Sequence, residues 1–475
     1  MKNVDLIINA RWCLPMTAEQ LILENHSVVI NEGNIVALLP QTQAAQLYQA
    51  TQTQDMDEHC VMPGLINNHG HTAMTLFRGL ADDLPLMTWL NNHIWPAEQQ
   101  FVGDAFVESG SALAIAEMLR GGTTCFSDMY FFPEATARVV DSSGIRASLG
   151  MVVIEFPTNW AKDVNEYLHK GQALHDKYRH HPRITTNYAP HAPYTVSDQT
   201  LQAIIINAEE LDLPIQMHIH ETAAEVSDSV AQYGKRPLAR LRDLGLLSPR
   251  LIAVHMTQLT EEEMDWCAEA GVHIAHCPES NLKLASGFTP IAELIKRGVN
   301  ISIGTDGAAS NNDLDMFAEM HQAAMLAKGV AGDPSVVPAY QALQMATINA
   351  AKSLGLDSVT GSLEIGKAAD IIAIDLSDIE TQPFYDLPSQ LVYATGRDKV
   401  SDVWVAGKQL LKQRQLTTLN AQHVSAQAQQ WAKKIRSVSK VIPFSLIPPN
   451  FLGLATAALF SPKVRCFRKN SIIFR

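Results

Sequence analysis

Short apolar runs separated by turn-forming residues characterise the first sixty positions of the chain. Residues 5–8, 27–30 and 35–39 are apolar and rich in β-branched side chains, and residues 31–33 (NEG) form a turn signal between the last two runs. Such runs alternate too quickly with turns to be helices. Residues 1–60 are therefore predicted to form the N-terminal part of a small β domain.

From residue 61 to about residue 360 the pattern changes to apolar strands that are each followed by a helical stretch. A repeated strand–helix unit builds a parallel sheet with crossover helices, and eight units close into a barrel. We therefore predict an α/β chain with a (β/α)₈ TIM-like barrel over residues 61–360. The strand-like runs are residues 123–127, 184–188, 215–218, 251–255, 273–276 and 301–305.

After residue 361 the β pattern returns. Residues 370–374 and 400–408 read as strands, with a hairpin turn at residues 405–408. Residues 361–440 are predicted to complete the β domain and add a closing helix, so that both chain ends form one small β-sandwich. Residues 441–475 are an atypical tail whose apolar run is about half of the roughly 20 residues that a membrane helix needs. We expect a disordered or loosely docked extension.

Composition and charge narrow the class of partner. The chain of 475 residues is 47% hydrophobic and 18% charged, which is typical of a compact enzyme. Its formal net charge of −13 opposes binding to nucleic acid, which requires clustered Lys and Arg. Six cysteines without a CxxC pair suit a reducing compartment. The sequence therefore predicts a cytoplasmic protein with a small-molecule substrate and with neither a nucleic-acid nor a membrane partner.

The first candidate chemistry lies in the segment PGLINNHGH, residues 63–71. An apolar strand there ends in His69 and His71, and alternation along a strand puts both imidazoles on one side. Imidazole is the commonest neutral nitrogen ligand of zinc-like ions. Taken alone, the pair could also be two hydrogen-bonded histidines at a strand terminus. Further ligands from other strands would favour a metal site.

A third candidate ligand comes from the strand-like segment QMHIHE, residues 216–221. His218 is the preferred ligand, because Glu221 would then follow it closely enough to reach the metal-activated water as an acid or base. His220 has the same strand parity as His218 and remains a rival ligand. The segment therefore supplies one imidazole and one carboxyl group.

The fourth candidate ligand is Asp306, at the end of the β-branched segment ISIGTDG, residues 301–307. A carboxylate there can bind metal and accept a proton from water, although a surface Asp-Gly turn is the competing interpretation. His255, which closes the segment LIAVH, is another strand-end imidazole that could orient the nucleophilic water. It could equally be a hydrogen-bonded core histidine. The concordance of several strand ends favours an active site.

The chain resembles the amidohydrolase superfamily over nearly all of residues 1–440, since these histidines and the aspartate occur in the order of that superfamily. Within it, the chain resembles the methylthioadenosine/S-adenosylhomocysteine deaminases. Four longer matches carry this resemblance: HTAMTLFRG at 71–79, WPAE at 95–98, PHAPY at 190–194 and HCPESN at 276–281.

The resemblance implies one divalent ion, with zinc as the first choice among several metals that accept such ligands. Its implied ligands are His69, His71, His218 and Asp306. A single ion is expected because residues 185–194 contain no lysine to bridge a second one. Glu221, His255 and Asp306 are the implied catalytic residues. They would direct water to the purine carbon that bears the amino group and release ammonia.

The resemblance also implies which residues contact the nucleoside. Glu98 and His191 are expected at the ribose hydroxyls, and Glu221 and Asp306 at the purine ring. Trp95 and Arg146 are also assigned to substrate binding. The apolar residues Met87, Trp89, Leu90 and Trp95 are candidates for a thioether pocket, with packing in a core as the alternative for each.

The expected substrate is 5′-methylthioadenosine, with adenosine and S-adenosylhomocysteine as further substrates. Residues 151–160 lack the arginine that a homocysteine carboxylate would favour, which disfavours S-adenosylhomocysteine. An alternative is an aminohydrolase of another nitrogen heterocycle, such as guanine or a triazine. A non-catalytic barrel protein fits the complete ligand set less well. Barrels of this kind often pair through outer helices, so a homo-oligomer is also considered.

Overall fold

The computed structural model describes residues 1–17 and 20–439, and two eight-stranded sheets organise them. The first sheet begins with strands β1 (Lys2–Cys13), β2 (Leu23–Asn31), β3 (Asn34–Pro40) and β4 (Tyr48–Pro63), with helix α1 (Gln41–Leu47) between the last two. Alternate residues of β1 enter different apolar clusters. Leu6 and Ile8 pack in one cluster and Ile7 in another, so both faces of this sheet are covered.

The second sheet is the predicted barrel. Its eight strands lie side by side in chain order and pair in parallel, and nearly all of their side chains are buried. The TIM-like barrel is thereby confirmed. The strands are β5 (Leu65–Gly70), β6 (Thr123–Asp128), β7 (Arg146–Val153), β8 (Ile184–Pro190), β9 (Ile215–Ile219), β10 (Leu251–His255), β11 (His273–His276) and β12 (Asn300–Ile303).

Helices connect the barrel strands, and the main apolar core lies between the strands of the barrel and these helices. The α-helices are α2 (Leu86–Trp89), α3 (Trp95–Phe101), α4 (Asp104–Arg120), α5 (Pro133–Ser143), α6 (Val164–Tyr178), α7 (Asp198–Leu211), α8 (Ala223–Tyr233), α9 (Pro237–Asp243), α10 (Glu261–Ala270), α11 (Pro278–Lys283), α12 (Ile291–Lys296), α13 (Met316–Ala331), α14 (Ala339–Met345) and α15 (Ile348–Ser353). A 3₁₀ helix (Thr72–Phe77) and a π-helical turn (Leu90–Ile94) lie in the connection after β5.

The C-terminal segment returns to the first sheet. It contributes β13 (Ile371–Asp375), β14 (Val400–Val405), β15 (Lys408–Lys412) and β16 (Gln415–Leu416), together with α16 (Leu387–Tyr393) and α17 (Ala421–Ser439). Two short 3₁₀ helices, Ile379–Thr381 and Arg397–Lys399, complete it. β4 joins the two chain ends, because it pairs in parallel with β1 and antiparallel with β13. The prediction that both chain ends contribute to one β layer outside the barrel is thus confirmed, and that layer is the first sheet.

The barrel closes where β12 meets β5. Gly304 makes this approach possible, since a Cβ atom there would lie 2.6 Å from the backbone nitrogen of His69. The Asp306 amide donates to the His69 carbonyl at 3.0 Å. The Asn67 side chain adds two bonds to Thr305: it accepts from the backbone amide at 3.0 Å and donates to the hydroxyl at 2.7 Å. The closure therefore places the ends of β5 and β12 side by side.

None of the helices in residues 1–17 and 20–439 is long and apolar enough to cross a membrane. The predicted tail, residues 441–475, lies outside the described residues. The domain boundaries at residues 60, 360 and 440 stay predictions.

Candidate metal centre and active site

Four side chains converge at the C-terminal ends of the barrel strands, where barrel active sites are built. Their ligand atoms all lie within 4.8 Å of one another, and the set could hold a metal ion. The residues are His69, His71, His218 and Asp306.

The spacing of the donor atoms fits one tetrahedral ion. Ligands at about 2.0–2.1 Å from zinc lie about 3.3 Å apart across a tetrahedral angle. The Nε2 atoms of His69 and His218 are 3.1 Å apart, and Asp306 Oδ1 lies 3.1 Å from His71 Nε2 and 3.5 Å from His69 Nε2. Three neutral imidazoles and one carboxylate also form a donor set that zinc accepts.

Hydrogen bonds at the far ring nitrogens orient all three imidazoles. The Nδ1 group of His69 donates to the Gln216 side-chain oxygen at 3.1 Å, that of His71 to the Met129 carbonyl at 2.6 Å, and that of His218 to the His191 carbonyl at 2.8 Å. Each Nε2 therefore keeps a free lone pair. Since two such lone pairs face each other across 3.1 Å, a cation among them removes their repulsion.

Asp306 is held by contacts on both carboxylate oxygens. Its Oδ1 accepts from the Gly307 amide at 2.7 Å, and its Oδ2 accepts from the hydroxyls of Ser280 at 2.6 Å and Ser310 at 3.0 Å. Asp306 itself has a φ of 60°, in the left-handed region that costs a non-glycine residue of order 1–3 kcal/mol. The neighbouring hydrogen bonds stabilise this conformation, which aims the carboxylate at the histidines.

The structure separates His218 from its sequence rival His220. The side chain of His220 is fully buried away from the ligand cluster, where its Nε2 accepts from the Leu238 amide at 3.1 Å. Its φ of 53° turns the backbone out of the strand alternation. Strand parity alone could not distinguish the two histidines, because the strand ends between them at Ile219.

Glu221 and His255 lie beside the ligand cluster. The His255 ring stacks on that of His218, with centroids 5.5 Å apart, and its Nε2 is 3.9 Å from Glu221 Oε1. Asn281 accepts the Nδ1 proton of His255 at 2.8 Å, which leaves Nε2 as an acceptor facing the site. Burial raises the pKa of Glu221 to about 8, and the Asp306 charge adds to the rise. At neutral pH Glu221 therefore keeps a proton that it can deliver.

Two further predicted residues adjoin the cluster. The His191 ring contacts that of His218, with centroids 5.0 Å apart. The Thr195 hydroxyl donates to the Ala192 carbonyl at 3.2 Å, so it accepts from His191 Nδ1 at 3.0 Å and leaves Nε2 as an acceptor. Glu98 is buried on α3, and burial raises its pKa to about 7. The Tyr130 hydroxyl donates to Glu98 Oε1 at 2.8 Å, and the Tyr130 ring lies 6.4 Å from that of His71, so Glu98 is one residue removed from a metal ligand.

Trp95 begins α3, the helix that also carries Glu98. Its ring packs edge-on against Phe156, with centroids 5.8 Å apart. Phe156 lies in the connection after β7, so this contact attaches α3 to the neighbouring barrel loop. A direct contact between Trp95 and substrate stays a prediction.

The assignment of Arg146 to substrate binding is corrected by the structure. Arg146 is the first residue of β7, whereas the active site lies beyond the last residues of the strands. Its buried guanidinium donates to Asp370 Oδ2 at 2.8 Å and Oδ1 at 3.2 Å, and to the Pro182 carbonyl at 2.9 Å. Arg146 therefore links the barrel to the first sheet.

The sequence interpretation missed the residues that hold the others in place. Gln216 has no motif of its own, and the signal for it is only its position two residues before His218. Ser280 and Asn281 lie in the quoted segment HCPESN, but nothing in that segment told which side chains they would contact. Tyr130, whose hydroxyl donates to Glu98 Oε1 at 2.8 Å, carried no sequence signal.

Comparisons with known proteins agree with this architecture. The Amidohydrolase family profile matches residues 60–410. A 5-methylthioadenosine/S-adenosylhomocysteine deaminase of Teredinibacter turnerae is 50% identical over 433 residues, which cover 91% of this chain and 98% of the relative. The crystal structure of an adenosine deaminase from Xanthomonas campestris with bound zinc is 51% identical, with a TM-score of 0.91, and covers 92% of this chain and 99% of its own.

A more distant structure shows the same fold. The atrazine chlorohydrolase of Arthrobacter aurescens complexed with zinc has a TM-score of 0.83 at 23% identity, and covers 90% of this chain and 100% of its own. The profile match spans most of the chain, and the Teredinibacter relative is similar over nearly its whole length. The chain therefore belongs to the amidohydrolase family.

Proposed function

We propose that the protein hydrolytically deaminates 5′-methylthioadenosine and related adenosine nucleosides to the inosine-type product and ammonia. The observation that carries this proposal is the arrangement of Glu221 and His255 beside the four-ligand cluster. Glu221 would serve as a proton donor and His255 Nε2 as an acceptor for a water molecule and a purine ring bound at the cluster. The relatives named for deamination of adenosine derivatives support the same reaction.

His69, His71, His218 and Asp306 would hold one divalent ion, zinc by preference, and the ion when bound would lower the pKa of a water molecule so that it can act as the nucleophile. The Nε2 atom of His255 and the Asp306 carboxylate orient that water towards the carbon that bears the amino group. Glu221 donates its proton to the adjacent ring nitrogen as the carbon–oxygen bond forms. The amine takes up the proton that water gave to Asp306, the carbon–nitrogen bond breaks, and ammonia leaves. The remaining hydroxyl proton returns to Glu221, which forms the carbonyl of the inosine-type product and restores the acid.

Glu98 and His191 support a nucleoside rather than a free base. Both offer hydrogen-bond acceptors to donor hydroxyls, which a ribose supplies and a bare purine does not. Guanine and triazine hydrolysis, the alternative from the sequence, would leave Glu98 Oε2, the oxygen that Tyr130 does not contact, without a ribose hydroxyl as donor. A buried acceptor without a donor costs affinity.

The residues at the site favour a neutral thioether over a homocysteine side chain. Arg146 is held by Asp370 at the far end of its strand, and residues 151–160 contain no arginine. A homocysteine carboxylate would then lack the fork-shaped partner that buried carboxylates favour. We therefore infer that methylthioadenosine is the better substrate. The cytoplasmic location and the homo-oligomer stay predictions.

The test is an absorbance assay for conversion of adenosine to inosine chromophores with the zinc-loaded protein. Methylthioadenosine, adenosine, S-adenosylhomocysteine and guanine serve as separate substrates. We expect the highest kcat/KM for methylthioadenosine and loss of turnover in Asp306→Ala. The matched control is Asp228→Ala, an exposed aspartate on α8, which should retain wild-type activity.

Turnover of guanine or another free base, with no adenosine derivative reacting, would contradict the proposal. Unimpaired activity in Asp306→Ala would contradict the ligand assignment even if methylthioadenosine were the substrate.

A further inference from the structure

We propose that Tyr130 is a positioning residue that fixes the Glu98 carboxylate and thereby gives the enzyme its preference for substrates with ribose hydroxyls. The inference rests on the proposed function for the site but concerns a residue that takes no part in the chemistry. Tyr130 lies just beyond the end of β6.

The contact between the two side chains is direct and enclosed. The Tyr130 hydroxyl donates to Glu98 Oε1 at 2.8 Å, and both residues are buried. A carboxylate has two oxygens, so the contact occupies Oε1 and leaves Oε2 for a second donor. A hydrogen bond to a buried carboxylate is also strong enough to select one rotamer of its side chain.

Other contacts fix the helix that carries Glu98 but not its carboxylate. The Trp95 ring packs against Phe156 at the start of α3. At the other end of α3, the Asn159 side-chain amide donates to the carbonyls of Gln99 at 2.8 Å and Val102 at 2.9 Å. These contacts place the backbone of the helix. The hydrogen bond from Tyr130 is what orients the carboxylate of Glu98.

The chain segment that holds Glu98 also holds a metal ligand. The carbonyl of Met129, directly before Tyr130, accepts from His71 Nδ1 at 2.6 Å, and the rings of Tyr130 and His71 lie 6.4 Å apart. Two consecutive residues therefore set the position of a metal ligand and of the carboxylate. Because Met129 and Tyr130 are adjacent, the metal ligand and the Glu98 carboxylate keep a constant separation. A nucleoside requires such a separation if its ribose is to bind Glu98 while its purine ring reaches the metal centre.

The experiment compares Tyr130→Phe with the wild type on adenosine and on 2′,3′-dideoxyadenosine. For adenosine we expect KM to rise about tenfold, the effect of losing one hydrogen bond to a charged group, with kcat changed less than about threefold. For the dideoxy substrate, kcat/KM should differ by less than about twofold between the two proteins. Glu98→Ala/Tyr130→Phe should differ little from Glu98→Ala alone, because Glu98→Ala already removes the carboxylate that Tyr130 positions.

Tyr188→Phe is the matched control. Tyr188 is another buried barrel tyrosine, but its hydroxyl contacts Asn207 on α7 rather than the site, so its kinetics should be those of the wild type. Equal losses on both substrates, or a fall in bound zinc in Tyr130→Phe, would overturn the inference, since Tyr130 would then act through His71 or through general packing.

Binding measurements separate this inference from the proposed reaction. The affinities of inosine and 2′,3′-dideoxyinosine are measured by calorimetric titration of wild type and Tyr130→Phe. A Tyr130-dependent preference for inosine supports the inference even if no adenosine derivative is deaminated. Equal affinities for the two ligands in the wild type overturn it, even if methylthioadenosine proves to be a good substrate.

Discussion

Individual residues in this site depend on backbone conformations that the sequence pattern does not specify. His255 and Asp306 both have φ values in the left-handed region, 73° and 60°. In each case the residue follows or ends a barrel strand, so the positive φ turns its side chain across the strand ends. Side-chain alternation located the strands that carry these residues. The turns that bring the side chains together arise only from tertiary contacts.

The raised pKa of Glu221 predicts a pH dependence of activity. Glu221 must hold a proton to donate, and burial raises its pKa to about 8. We therefore expect kcat to be constant well below pH 8, to be about halved near pH 8, and to fall up to tenfold per pH unit above it. Glu221→Gln should lower kcat by about 10²–10⁴-fold and abolish this limb of the profile. Steady-state assays across pH 6–10 provide the measurement.

The same shift predicts the direction of a stability change. Between the ordinary glutamate pKa of 4.5 and about 8 the folded protein keeps a proton that the unfolded chain releases. Stability attributable to Glu221 therefore falls as pH rises through this window, by up to about 1.4 kcal/mol per pH unit. Glu221→Gln should unfold with a weaker pH dependence there. A wild-type profile no steeper than that of the variant would show that Glu221 ionises normally.

At the scale of elements, the sequence predicted the strands that have a strong apolar pattern. The predicted runs at 215–218, 251–255 and 273–276 agree with β9, β10 and β11 to within one residue. The hairpin at 405–408 is confirmed, with Ala406 and Gly407 both at positive φ, as tight hairpin turns require.

β4 (Tyr48–Pro63) was missed, although it lies between the two ends of the chain in the sheet. Its sequence, YQATQTQDMDEHCVMP, is mostly polar and exposed through its first half. Apolar alternation reports burial of a side chain, and this strand is specified mainly by backbone pairing with β1 and β13. A pattern based on hydrophobicity therefore cannot find it.

Closure of the barrel depends on Gly304. Replacing Gly304 with alanine should lower the stability of the fold, whereas the same change at a glycine in open space should raise it. In Gly304→Ala the new Cβ would lie 2.6 Å from the His69 nitrogen, so β12 must move away from β5. We expect the free energy of unfolding to fall by about 2–3 kcal/mol, as for other overpacked sites, with weaker zinc retention. Urea unfolding and metal analysis of the purified variant test this.

Gly329→Ala is the control. Gly329 lies within α13, where an added Cβ meets nothing within 4 Å, so alanine should stabilise the protein by about 0.5–1 kcal/mol through its higher helix propensity. If both variants changed stability in the same direction, close approach at Gly304 would not be the cause of its effect.

At the scale of the whole molecule, the metal ligands were predictable because each lies at or just beyond the end of a strand, and parallel strands of a barrel bring their ends together. The residues that orient those ligands were not, because Gln216, Asn281 and Tyr130 act through contacts between distant segments. Arg146 shows the reverse error. An arginine beside a barrel strand was assigned to substrate, although the charge that it binds belongs to the C-terminal part of the chain.

That charge is Asp370, and its pair with Arg146 should determine stability rather than catalysis. Arg146→Met leaves a buried carboxylate without its partner, so we expect a loss of about 3–5 kcal/mol in the free energy of unfolding. The kcat/KM of the folded fraction should stay within about twofold of the wild type. Chemical denaturation and assays at a temperature where the variant remains folded separate the two effects.

The double variant Arg146→Met/Asp370→Asn distinguishes loss of the pair from loss of arginine packing. The asparagine oxygen can still accept from the Ala406 amide, which donates to Asp370 Oδ1 at 2.7 Å, while the uncompensated charge is removed. Most of the lost stability should therefore return. A raised KM in Arg146→Met that persisted in the stable double variant would contradict this prediction. It would mean that Arg146 contacts the substrate although it lies at the opposite end of its strand from the active site.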